Sequence, residues 1–343
     1  MGTSSAVVIP CSDVAAEVDY FVALGWRVLQ VFPADDPRQV ILDGHGIRLL
    51  VRRGPGGPLR LSVSGGVDCS SASPSGVVIE ANTAVAAIPP LNSKFSLTSG
   101  DEPWHVGRAG MHYRDLVPDR QGGSVIASHI RIPEGGPVPD YPHFHDVVFQ
   151  LIFCHKGWVR LAYEGQGEPF VLQAGECVTQ PPKIRHRVLE SSDDLHVIEV
   201  GFPAEHMTTA DHDFDFAAFP VDPDRRWDGQ QFLRYTNDVN SWSVLGNGIR
   251  VSDTGVAKAT SDRADVRLVE MSEGSSHAVT TVPNALFSMV VVLAGEVTGK
   301  LEGGNDMGRL GEGATVVIPV ESGASFTAEK SSKLLLVGID TAL

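Results

Sequence analysis

Cysteine is scarce in this chain, and the four present, Cys11, Cys69, Cys154 and Cys177, stand far apart without CxxC spacing. That excludes a disulfide framework and a thiolate metal site, leaving reduced structural thiols as the expectation. Long apolar runs are missing too: no stretch approaches the ~20 residues needed to cross a bilayer. The opening MGTSSAVVIP lacks the basic start and long apolar core of a secretion signal, so a cytoplasmic protein with no membrane partner is expected. Positive charge is also in deficit, with 27 Lys and Arg against 42 Asp and Glu and a formal net charge of −15. No long basic run offsets that balance, which argues against nucleic acid as a partner.

What is present suffices for a sizeable core: 343 residues, 42% of them hydrophobic, a length that fits two or three domains. The 36 glycines and 22 prolines punctuate short valine- and isoleucine-rich runs such as 124-SVIASHIRI-132, 314-ATVVIPV-320 and 333-KLLLVGI-339. This pattern reads as mainly β, in barrels or sandwiches.

An internal repeat organises the chain. Gly136, Gly157, Gly175 and Pro181 recur as Gly274, Gly295, Gly313 and Pro319, each pair 138 positions apart. Turn-forming residues held at one offset mean that the same hairpins are built twice, without an insertion between them. The connector at 211–243 is acidic and aromatic, too apolar for a disordered tether, and is expected to pack across both copies. Upstream, 6-AVVIP-10 reads as a strand. Ser12 or Asp13 can cap a helix with Val14, Val18, Phe21 and Val22 on one face, and Gly25 ends it. Extended segments follow at 26–32, 38–43 and 47–53, giving a βαβββ module over 1–60. Residues 61–96 read as a Gly/Ser/Pro-rich linker with a strand.

The repeat unit resembles the cupin superfamily, whose first motif runs G-x5-HxH-x3,4-E-x6-G and whose second runs G-x5-P-x-G-x2-H-x3-N. Here the first reads Gly136, six residues, His143-Phe144-His145, four residues, Gln150, six residues, Gly157. The second reads Gly175, five residues, Pro181, then Lys183 in place of glycine, His186, and Glu190 in place of asparagine. The resemblance implies a bicupin, with a metal-binding barrel over 97–210 and a degenerate barrel over 244–343. The N-terminal module resembles one βαβββ unit of the glyoxalase, or vicinal-oxygen-chelate, family through 17-EVDYFVALGWRV-28 and 43-DGHGIRLLV-51. That family pairs two such units around a metal. Only one is found here, and His45 reads as a turn histidine rather than a ligand.

Side chains two apart on a strand share a face, so His143 and His145 can bind one ion, and the cupin pattern adds His186 and position 150. The expected ligands are therefore His143, His145, His186 and Gln150, holding one divalent transition metal per chain, with Fe(II) favoured over Zn, Mn or Ni. Gln150 either coordinates directly or hydrogen-bonds a bound water or substrate; direct coordination is preferred. An amide in place of a carboxylate leaves the metal's charge uncompensated, so an anionic organic ligand is expected, and Gln150→Glu should tighten metal binding. Gln150, Arg185 and Tyr141 are the candidate catalytic residues. His129, Arg131, Phe149 and Gln180 are candidate barrel lining, and His206 shows no ligand spacing. In the second copy the ligand positions become Thr281, Pro283, Ser288 and Ala324, none of them a metal ligand. Cupins include dioxygenases, isomerases, lyases and binding proteins. The reading favoured here is a dioxygenase acting on a small anionic enol, phenol or diketone; the alternatives are a redox-neutral isomerase or lyase, or a non-catalytic binding protein. A homodimer is expected.

Overall fold

The computed structural model describes residues 5–33, 37–64, 71–82, 89, 93–107, 110–280, 285–304 and 306–340. It divides into two compact units, 1–85 and 86–343.

In the first unit, β1 (Val7–Cys11), α1 (Val14–Ala23), β2 (Arg27–Phe32), β3 (Gln39–Gly44) and β4 (Ile47–Arg53) follow in the expected βαβββ order. The sheet runs β1-β4-β3-β2, with β1 parallel to β4. Asp13 caps α1 by accepting from the Ala16 amide at 3.1 Å. His45 sits in the β3–β4 turn, its ring against Trp26 and its Nε2 2.8 Å from the Leu24 carbonyl, where it closes the C-terminal end of α1. Part of the stretch read as linker is structured: β5 (Leu59–Ser64) and β6 (Val77–Asn82) pair in parallel. They bury Leu61, Val63, Val77 and Ile79 in the same core as Phe21 and Trp26. The alternation in 59-LRLSVS-64 was masked by the glycines and serines around it.

The second unit holds two barrels. The first is built from β8 (His105–Val106), β9 (His112–Asp115), β10 (Ile126–Ile132), β11 (Gly136–Pro137), β12 (His143–His145), β13 (Phe149–Lys156), β14 (Trp158–Tyr163), β15 (Phe170–Gln173), β16 (Cys177–Thr179), β17 (His186–Ser191), β18 (Leu195–Phe202) and β19 (Thr208–Ala210). One sheet runs β16-β13-β18-β10-β9-β8 and the facing one β15-β14-β17-β12-β19, with β11 on β17. The short strand β7 (Ser96–Thr98), which precedes the first barrel, pairs with Thr315–Val317 of the second. Arg234–Tyr235 in the connector pairs in turn with β16 of the first. Each barrel is thus completed by a strand from the segment that leads into the other, and the connector buries Trp227 and Tyr235 in doing so.

Alternation along the strands decides what each face does. Phe149, Leu151 and Phe153 of β13 and Val200 of β18 point out of the first barrel. They join Val266, Leu268, Met289, Val291, Leu335 and Val337 of the second in one inter-barrel core. The even-numbered Gln150 and Ile152 face the interior of the first barrel.

The repeat is visible in backbone detail. Gly157 and Gly295 have φ 77° and 84°, and Gly175 and Gly313 have 89° and 87°. The bulge before Gly157, between Cys154 and Lys156, recurs between Val292 and Ala294. At Gly157 a Cβ would also meet Ser192 Oγ, the atom that accepts from the Trp158 amide. Gly157→Ala is therefore expected to destabilise the first barrel by about 1–3 kcal/mol, read as a lowered melting temperature. A melt identical to the parent's would contradict this.

Cys11, Cys154 and Cys177 are buried free thiols, and burial pushes Cys154 up to about 12, so these are packing residues rather than nucleophiles. Cys69 lies outside the described residues. No helix among the described residues is long and apolar enough to cross a membrane.

Candidate metal centre

Strand β12 lies between β17 and β19, with His143 opposite both His186 and Ala210, and His145 opposite Thr208. Because β17 begins at His186, the turn carrying Pro181 delivers that imidazole directly beside His143. Lys183 takes the motif's glycine position at φ 64°, and its amide donates to the His145 carbonyl at 2.9 Å, which ties the turn to β12.

His143, His145 and His186 each bring a ligating atom to within 4.8 Å of the others. Their ring centroids are 4.3 Å (His143–His186), 5.1 Å (His143–His145) and 5.1 Å (His145–His186) apart. Each ring is held from behind through Nδ1. His143 bonds the Tyr141 carbonyl at 2.8 Å, His186 the Ile184 carbonyl at 3.0 Å, and His145 the Thr208 hydroxyl at 2.8 Å. A proton on Nδ1 that donates to a carbonyl leaves the lone pair on Nε2, the tautomer and orientation a metal-ligating histidine needs. Asp140 is buried behind this row. Its carboxylate accepts from the Val188 amide at 2.9 Å and lies 3.7 Å from His143 Nδ1.

Gln150 is 1% exposed. Its Nε2 donates to Glu199 Oε1 at 2.5 Å, and its Oε1 is buried without a hydrogen-bond partner. An orphaned buried amide oxygen is costly, and a cation nearby would satisfy it. Three imidazoles oriented for coordination and one unsatisfied oxygen on the barrel's inner face fit a divalent transition metal.

The histidines open on a cavity of ≈ 240 Å³ inside the first barrel. Its walls are mainly aliphatic, from residues such as Ile130, Ile152, Leu161, Val188 and Val197, while Tyr163, Gln180, Glu199, His206 and Thr208 add polar groups. Burial pushes the Tyr163 phenol well above its usual range, reinforced by the Glu199 charge and opposed by the hydrogen bond from Gln180 at 2.8 Å. At neutral pH Tyr163 is therefore a neutral hydrogen-bonding group stacked on His186, with centroids 5.6 Å apart.

Several expected positions resolve differently. Arg185 precedes His186 and so points the other way. Its guanidinium bonds Asp211 at 2.7 Å and Glu164 at 3.2 Å and lies over Phe144 and Phe214; the Asp211 bond, then Glu164, raise its pKa against burial. Tyr141 contributes its carbonyl to His143, while its ring, 37% exposed, sits 4.8 Å from His212. Neither side chain lines the cavity. Of the other lining candidates only Gln180 does so; Phe149 belongs to the inter-barrel core, and His129 and Arg131 face outward. Two residues without sequence spacing do line it: Glu199, and His206, whose ring is 5.3 Å from His145. Glu199 thus brings into the cavity a carboxylate that its place in an apolar strand had hidden.

In the second barrel, Thr281 and Pro283 lie outside the described residues. Ser288 borders a hollow of ≈ 720 Å³ together with Asp265, Arg267 and His277, and Ala324 is buried in that barrel's own apolar core. Among the described residues no second cluster of three metal-ligating groups occurs.

No family model and no curated protein sequence matches the chain. Solved structures do. A salicylate 1,2-dioxygenase from Pseudaminobacter salicylatoxidans aligns over 74% of this chain and 87% of its own, at 13% identity and TM-score 0.53. An oxalate decarboxylase variant from Bacillus subtilis aligns over 71% and 76%, at 11% identity and TM-score 0.53. An 11S globulin from Wrightia tinctoria aligns over 72% and 84%, at 12% identity and TM-score 0.55. These likenesses establish the fold, a pair of cupin barrels, in proteins that otherwise share little sequence with this one.

Proposed function

We propose that this bicupin is a metal-dependent enzyme of the first barrel, acting on a small organic anion whose oxygen-bearing head binds at the histidines while its apolar body fills the aliphatic cavity. The observation that carries the reading is the convergence of His143, His145 and His186 on that cavity, each ring anchored through Nδ1. At ≈ 240 Å³ the space lies below the ~300–1,000 Å³ of drug-sized sites, which limits the substrate to a compact molecule.

A divalent ion held by the three histidines and Gln150 would supply a Lewis acid for the substrate's head group and, as iron, access to dioxygen. The chain's own residues do the rest. With Glu199 beside the site, a divalent centre carries a net charge of about +1, which a monoanionic enol or phenol completes. Tyr163, kept protonated by burial, and Gln180 present polar atoms to the head group. The walls exclude water and prefer an aliphatic or aromatic body over a second charge.

Dioxygenation is the first reading, supported by three neutral imidazoles and room for a chelating ligand. A redox-neutral lyase or isomerase is the second, favoured by one observation: Glu199 brings a carboxylate, the group a proton-transfer reaction needs, into the cavity. Elemental analysis combined with oxygen uptake separates them. Iron near one per chain and oxygen consumption with a panel of phenols and β-diketones is the expected result. Stoichiometric zinc with no oxygen consumption would sink the dioxygenase reading and leave the second.

A further inference from the structure

We propose that Glu199 is the positioning residue for the fourth ligand of this centre: it fixes the Gln150 amide with its oxygen toward the metal and carries the negative charge that position 150 has given up. This rests on the metal reading above and goes beyond it, because it assigns roles to two residues on different strands as one unit.

The argument begins with register. On the antiparallel pair β13 and β18, Gln150 stands opposite Gly201 and Ile152 opposite Glu199, so Gln150 and Glu199 are diagonal neighbours on the same inward face. Gly201, directly opposite Gln150, carries no side chain of its own on that face, and a Cβ there would crowd Ile126 at 3.1 Å and His206 at 3.6 Å rather than Gln150. Gln150 can therefore lean across to Glu199.

An amide has two unlike ends, and its neighbour decides which way it turns. A carboxylate only accepts, so it selects the NH2 end of Gln150, as the 2.5 Å Nε2–Oε1 bond shows. The carbonyl end is then directed away from Glu199, and it is the atom left buried without a hydrogen-bond partner. A hydrogen bond to an anionic acceptor also polarises the amide and makes its oxygen the better donor to a cation. Glu199 lines the same cavity as the three histidines, yet it stands outside the group whose ligating atoms lie within 4.8 Å of one another. It is thus placed to act through Gln150 while compensating charge from one strand away.

The arrangement makes the two positions exchangeable. A carboxylate on β13 with an amide on β18 supplies the same charge and the same hydrogen bond, reversed in direction. E199Q, by contrast, removes the charge and lets the amide at 150 turn either way.

Metal titration of the full chain by calorimetry, with Mn(II) and Fe(II) as probes, tests this on the parent, E199Q and the double exchange Q150E/E199Q, alongside metal-free melting curves. The expected result is a loss of about 10–100-fold in affinity for E199Q, the range for an outer partner of a metal ligand, with recovery to within about threefold of the parent in the double exchange. A residue that mattered only for packing would not be rescued by moving the charge to the neighbouring strand. If E199Q binds metal as tightly as the parent, Glu199 has no such role, while the metal centre itself stands. A weakened E199Q that the exchange fails to restore also overturns the proposal, since the charge is then needed at 199 and not at the pair. A parent chain that binds neither probe would sink the metal reading instead, and the proposal with it.

Discussion

Replacing His143 with alanine is expected to take the metal content of the purified chain from one ion to none. Three features make this the site's most damaging single change. His143 lies 4.3 Å from His186 and 5.1 Å from His145, centroid to centroid, and at 1% exposed it is the most buried of the three. It is also the best anchored, with Nδ1 on the Tyr141 carbonyl and the Asp140 carboxylate behind it. Outer partners of metal-ligating histidines are worth about 10–100-fold in affinity, so loss of the ring itself should exceed about 100-fold and survive no dialysis step. The chain should still fold, because the inter-barrel core draws on the opposite sheet and does not include His143. Elemental analysis paired with circular dichroism melting checks both halves. Undiminished metal in a folded H143A protein would place the ion elsewhere and refute the ligand set. Ser288→Ala, in the second barrel, is the matching control and should leave the metal content unchanged.

The fold was legible because its signals are periodic or positional. Glycines at a fixed offset of 138 mark turns that need positive φ, and Gly157 with Gly295 and Gly175 with Gly313 adopt it in both copies. His143 and His145 were legible for the same reason: a two-residue spacing on a strand sets the face, and the second motif adds His186. What the sequence hid lies in relations between strands. Glu199 reads in 195-LHVIEVGF-202 as one polar residue in an apolar strand, and only the register of β13 with β18 brings it to Gln150. His206 arrives from the segment after Pro203 and shows no spacing to the other histidines. The same blindness misplaced Arg185, whose neighbour His186 faces inward and thereby turns the guanidinium out toward Asp211 and Glu164. Adjacency in sequence, on a strand, is separation in space. Reading 61–96 as a linker with one strand left out the parallel pairing of β5 with β6, because strand alternation over six residues is easily outweighed by flanking glycine and serine. Gln150 stands between the cases: its position was legible, but the state of its amide required Glu199.

Acid should loosen this protein well before its carboxylates are titrated, and the cause lies outside the metal centre, at three histidines near the barrel interface. His129 of β10 is 8% exposed, with Nε2 2.8 Å from His196 Nδ1, and His155 of β13 lies 5.6 Å from it, centroid to centroid. His155 Nε2 is 3.4 Å from Glu312 of the second barrel. Trp104 packs on His129 and His196, with Arg114 over its ring, while Asp194, held by Lys156 and Arg131, bonds His196 from the far side. Burial, then His196, His155 and Arg114, hold His129 down at about 3, and burial is also the main cause that lowers His155 and His196. In the unfolded chain all three take protons near 6.5. Below that pH the unfolded state binds more protons than the folded one, so stability falls with decreasing pH from about 6.5 toward 3, where folded His129 is at last protonated. For His129 alone the loss is of the order of a few kcal/mol, larger than most single substitutions produce. His129→Gln keeps a polar side chain and removes the titration. Its stability should therefore decline less steeply than the parent's between pH 6.5 and 4 in denaturant melts. Parallel declines for parent and variant would show that His129 is not the group responsible.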